Sequence, residues 1–70
     1  MEKEILIEGM HCEHCSNSVK NALEKIDGVR HVNVDLKKNI AVVDVDNVND
    51  DILENAILDI GFDVKNITEH

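Results

Sequence analysis

Apolar residues in this 70-residue chain recur at two different spacings, and the order of those spacings restricts the fold more than any other feature. Ile5 and Ile7 alternate with Glu4 and Glu8 and stop at Gly9, which reads as a strand with Leu6 turned to its other face. Cys15, Val19, Ala22, Leu23 and Ile26 then fall at helical spacing, with Ser16, Asn17, Lys20, Asn21 and Glu24 opposite them. Asp27-Gly28 is a stop signal. Val32, Val34 and Leu36 alternate with His31, Asn33 and Asp35, and Lys37-Lys38-Asn39 turns the chain into Ala41, Val43 and Val45, a predicted hairpin. A second helical stripe of Ile52, Leu53, Ala56, Ile57 and Ile60 follows. Capping side chains lie at 49–51, Asp51 and Glu54 having capping-box spacing. Gly61 ends that helix, and Phe62, Val64 and Ile67 predict a short last strand.

Strand–helix–strand–strand–helix–strand is therefore the predicted order. Two strand–helix–strand units with right-handed crossovers give a four-stranded antiparallel sheet with both helices on one face, the ferredoxin-like α+β sandwich. Period-two strands agree with a sheet covered on one side only. No linker or low-complexity tract divides the chain, so residues 1–70 are expected to form a single domain. A domain this short buries only about 60% of the surface its unfolded chain exposes, so its core is thin.

Seven basic and fifteen acidic side chains leave a net charge of −8. That balance repels phosphate backbones and anionic lipid, so nucleic acid and membrane surfaces are poor partners and a basic protein surface is a better one. No run approaches the ~18 apolar residues of a membrane span, and Met1-Glu2-Lys3-Glu4 lacks the pattern of an export signal. The chain is accordingly expected in the cytoplasm. A close cysteine pair there stays reduced and serves metal binding or redox chemistry rather than a structural bridge.

Cys12 and Cys15 are the only thiols. The predicted elements put Cys12 in a loop and Cys15 in the first helical turn, where unpaired N–H groups and the helix dipole favour thiolates. Two sulfurs converging on one ion suit Cu(I) better than structural zinc, which usually takes four ligands.

Three stretches in sequence carry a family resemblance. Gly-Met-x-Cys-x-x-Cys at Gly9–Cys15, Gly-Val-x-x-Val-x-Val at Gly28–Val34 and Ile-x-x-x-Gly-Phe at Ile57–Phe62 together resemble the heavy-metal-associated domain, most closely the bacterial copper chaperones. The resemblance covers nearly the whole chain. It implies that Cys12 and Cys15 hold Cu(I) at the surface and pass it to matching domains of a copper-transporting P-type ATPase. It also implies that Met10 packs beneath the loop as a tether rather than acting as a thioether ligand. His14 matches a histidine frequent in the bacterial chaperones; it either tunes thiolate basicity, approaches the metal transiently or is a solvated helix-start residue. His11 could add a nitrogen ligand or stand in solvent. Phe62 departs from the tyrosine that the chaperones often carry and matches the phenylalanine of ATPase-embedded domains. It could shield the site or be ordinary core. His31 and His70 are not expected to ligate.

The resemblance implies no enzyme activity. It leaves open an excised N-terminal metal-binding domain of such an ATPase, a module of the same fold for Zn, Cd, Hg or Ag, and a metal-bridged homodimer sharing four cysteines. A dithiol redox protein is the remaining alternative. Against it, the motif lacks the flanking tryptophan and internal proline of thioredoxin-like sites, and the chain is too short for that fold.

Overall fold

A computed structural model describes residues 1–69; His70 lies outside the described residues. The elements are β1 (Glu2–Glu8), α1 (Glu13–Glu24), β2 (Val29–Asp35), β3 (Ile40–Val45), α2 (Asp50–Asp59) and β4 (Asp63–Glu69). The strands form one antiparallel sheet in the order β2-β3-β1-β4. This is the ferredoxin-like arrangement predicted from the order of periodicities. Ile5 and Ile7 of β1 and Ala41, Val43 and Val45 of β3 turn inward. Val19 and Leu23 of α1 and Leu53 and Ile57 of α2 close over them, all four without solvent exposure. Leu6, of opposite phase, is 37% exposed on the uncovered face.

Two irregularities lie outside the period-two reading. Val29 pairs with Val45 but His31 with Asp44, so Arg30 is an extra residue in β2. Likewise Leu6 pairs with Asn66 but Ile7 with Val64, so Lys65 is an extra residue in β4. Each bulge lets two residues three apart pack on the same core, Val29 with Val32 and Val64 with Ile67. A regular strand would turn one of each pair to solvent.

α2 departs from its expected boundaries. Asn49, in extended conformation (φ −78°, ψ 153°), precedes the first helical residue, and its side chain makes no capping hydrogen bond. Asp51 is already inside the helix, so the Asp51–Glu54 capping box does not form. The expected apolar stripe is also narrower than its sequence: Ile52 is 45% and Ile60 37% exposed. α1 ends at Glu24, ahead of Ile26, which packs at the core's edge from the following turn. Among the described residues no helix is long and apolar enough to cross a membrane.

Candidate metal centre

β1 delivers the chain to the loop at one pole of the sheet, where β4 begins beside it through the pairing of Glu8 with Asp63. Gly9 makes the exit with φ +105°, a left-handed conformation that a side chain would strain. The absent side chain has a second use. A Cβ there would lie 3.2 Å from Cδ1 of the half-buried Phe62, so the ring packs against the root of the loop. Met10 follows at 2% exposure inside the hydrophobic core. Phe62 and Met10 thus pin the loop from both sides of Gly9, and the next residues emerge from a fixed point.

Cys12 is the residue before α1, extended at φ −151°, ψ 170°; its carbonyl accepts the helix's first hydrogen bond from the Ser16 N–H at 3.1 Å. Its side chain does not cap the helix and is exposed. Cys15 lies in the first turn, half-buried against the core. The three-residue step brings the two Sγ atoms to 3.4 Å. Both thiols are free, and that separation is well beyond a disulfide bond length of about 2.05 Å.

The Cys15 thiol is pushed below its ordinary pKa. The main-chain N–H of His11 contributes most, followed by the Cys12 thiol, with desolvation opposing and the Cys12 N–H adding a smaller contribution. Cys15 lies in the first turn of α1, but the strongest donor to its sulfur belongs to the loop ahead of the helix. No side-chain pattern could have revealed this, because the donor is backbone.

His11 and His14 are both exposed. Among the described residues no group of three or more His, Cys, Asp or Glu side chains converges to hold a metal, so the structure brings the two cysteines together and leaves the histidines apart from them. His31 lies on β2, where its register partner is Asp44. The arrangement offers two soft donors, one of them acidified, at an exposed loop with a rigid base. Such a pair can grip a thiophilic ion at low coordination number.

Residues 4–63 match the model of the heavy-metal-associated domain. This chain belongs to that family. The copper chaperone CopZ of Staphylococcus haemolyticus is 46% identical over 67 residues, which span 93% of this chain and 98% of the relative. Among solved structures, a CopZ metallochaperone superposes with a TM-score of 0.90 at 36% identity, covering 93% of this chain and all of the other. A copper-binding domain from HMA7, a P-type ATPase, superposes equally well at 0.90 and 36% identity, covering 99% of this chain and 96% of that domain. The heavy-metal-associated fold therefore accounts for the strands, the helices and the pole from which the cysteines project.

Proposed function

We propose that this protein is a cytoplasmic copper chaperone acting as a single heavy-metal-associated domain, in which Cys12 and Cys15 hold Cu(I) as cargo. The observation that carries the reading is the pair of free thiols at the mouth of α1, Cys12 exposed and Cys15 half-buried, with their sulfurs 3.4 Å apart. The copper chaperones among its relatives support copper as the ion. Met10 is a packing tether, and Phe62 shields the loop from one side. His11 and His14 stand outside the ligand pair.

Delivery is by ligand exchange with a copper-transporting P-type ATPase whose metal-binding domain presents its own dithiol. One partner thiolate adds to the ion, giving a three-coordinate intermediate, and one of Cys12 or Cys15 leaves. A second exchange completes the transfer. Copper stays Cu(I) throughout, so no electron acceptor is required. The step is an equilibrium between carriers and not catalysis. Likeness to a copper-binding ATPase domain supports a partner of the same fold.

Anaerobic titration with Cu(I) and with Zn(II) against a competing chelator tests the assignment. The wild type is expected to retain Cu(I) and release zinc, and Cys12→Ser and Cys15→Ser are each expected to lose tight Cu(I) binding. Undiminished Cu(I) binding in either variant would remove that cysteine from the site. Preference for Zn, Cd, Hg or Ag over Cu(I) would reassign the cargo, and turnover of a disulfide substrate would favour the redox alternative. A second reading, that the chain is a metal-binding domain of an ATPase, is favoured by Phe62 and by the HMA7 likeness. It uses the same two ligands.

A further inference from the structure

The two strands at the edges of the sheet share a feature that the metal site does not use. β2 pairs only with β3 and β4 only with β1 among the described residues, so each seven-residue strand presents one side of its backbone outward. Both are rich in residues that favour strands: Val29, Val32 and Val34 in one, Val64, Ile67 and Thr68 in the other. Long edges of this kind accept a strand from another chain unless something prevents it. The sequence has no proline to interrupt them. Each instead carries one extra residue, and in both strands that residue is basic: Arg30 in β2 and Lys65 in β4.

We infer that these two bulged cations block both sheet edges against pairing with a second copy of this chain. At a bulge two residues oppose one, so the outward N–H and C=O groups lose the regular spacing that an incoming strand needs, and the strand bends. Each cation is held at the interruption by a carboxylate on a neighbouring segment, Arg30 by Asp46 at 3.1 Å and Lys65 by Glu8 at 3.5 Å. Neither residue is required by the core. Without Arg30 the series Val29, His31, Val32 alternates in, out, in; without Lys65 the series Val64, Asn66, Ile67 does the same. The extra residue thus leaves the buried side unchanged and alters only the edge. Net charge also keeps copies apart, but salt screens that repulsion and does not alter the bulges.

The test uses the full chain with both cysteines replaced by serine, at high salt, so that neither metal bridging nor net charge contributes. Sedimentation equilibrium is measured for the parent and for deletion of Arg30, of Lys65 and of both. The parent is expected to remain at its 7.9 kDa monomer mass. Each single deletion opens one edge, which pairs with its own copy and closes as a dimer of about twice that mass. The double deletion opens two edges and is expected to form open, growing assemblies rather than dimers. Folded deletion variants that stay monomeric at millimolar concentration overturn the inference. If circular dichroism shows a deletion variant to be unfolded, Arg30→Val with Lys65→Val decides. That pair keeps the residue count and removes both charges. Both bulges remain in that pair, so self-association beyond the parent's supports the block by the cations, and monomeric behaviour equal to the parent's overturns the role given to them.

Discussion

Replacing Gly9 with alanine separates two effects that coincide at the root of the loop. The first is conformational: φ +105° is strained for any residue with a Cβ, a cost of about 1–3 kcal/mol. The second is contact, since the new Cβ would meet Cδ1 of Phe62 at 3.2 Å and the ring would have to yield by a few tenths of an ångström. Phe62 is only half-buried and can shift, so overpacking stays near the lower end of its range, about 1 kcal/mol. Gly61 is the internal control: its φ is +93°, and a Cβ there meets nothing within 4 Å. Gly61→Ala should therefore carry the strain alone. Gly9→Ala should destabilise by about 1 kcal/mol more, a total of roughly 2–4 kcal/mol. The gain from a stiffer unfolded chain is the same for both substitutions and cancels. Urea unfolding of the two variants measures the difference, and repeating it in a Phe62→Ala background completes a double-mutant cycle. A stabilising osmolyte keeps the doubly substituted chain folded. In that background the extra cost of Gly9→Ala should vanish. An unchanged difference between the two glycine sites would mean that Phe62 does not press on the loop.

Other consequences are simpler to read. Leu53→Ala or Leu23→Ala, at fully buried positions, should cost about 2–5 kcal/mol in urea unfolding, while Leu58→Ala, 45% exposed, should change stability by only about 0.5 kcal/mol. In a Cys12→Ser background, iodoacetamide should still alkylate Cys15 with an apparent pKa lower in the folded protein than in urea, because the His11 N–H remains; identical profiles would refute that cause. The sign for stability follows: a thiol with a depressed folded-state pKa contributes stability above its unfolded pKa, which is lost as pH falls through the folded value. Glu13→Gln, in the first turn of α1, should slow copper transfer to a basic partner domain more at low ionic strength than at high; equal transfer rates would exclude steering by this side chain.

The features legible in the sequence were those carried by side-chain spacing. Ile5 and Ile7, then Val19 and Leu23, then Ala41, Val43 and Val45 are regular enough to fix the element order and the inward faces. That order in turn places Cys12 before a helix and Cys15 in its first turn. The unread features depend on backbone geometry or on neighbours distant in the chain. A bulge is invisible to a period-two pattern, since Val64 and Ile67 look out of phase until Lys65 is recognised as extra. Asp51 and Glu54 have the right spacing for a cap, yet the helix already begins at Asp50, with Asn49 in the cap position. Ile52 and Ile60 fit a helical stripe, but the thin core leaves them at its margin. The acidity of Cys15 arises chiefly from an amide ahead of the helix.

X-ray absorption at the copper edge, on protein loaded anaerobically with one Cu(I) per chain in thiol-free buffer, tests the proposed site most directly. The account predicts two sulfur scatterers and no nitrogen or oxygen in the first shell, with one sulfur lost in Cys12→Ser. A nitrogen shell that disappears on replacing His11 or His14, or a sulfur shell unchanged by Cys12→Ser, would contradict it.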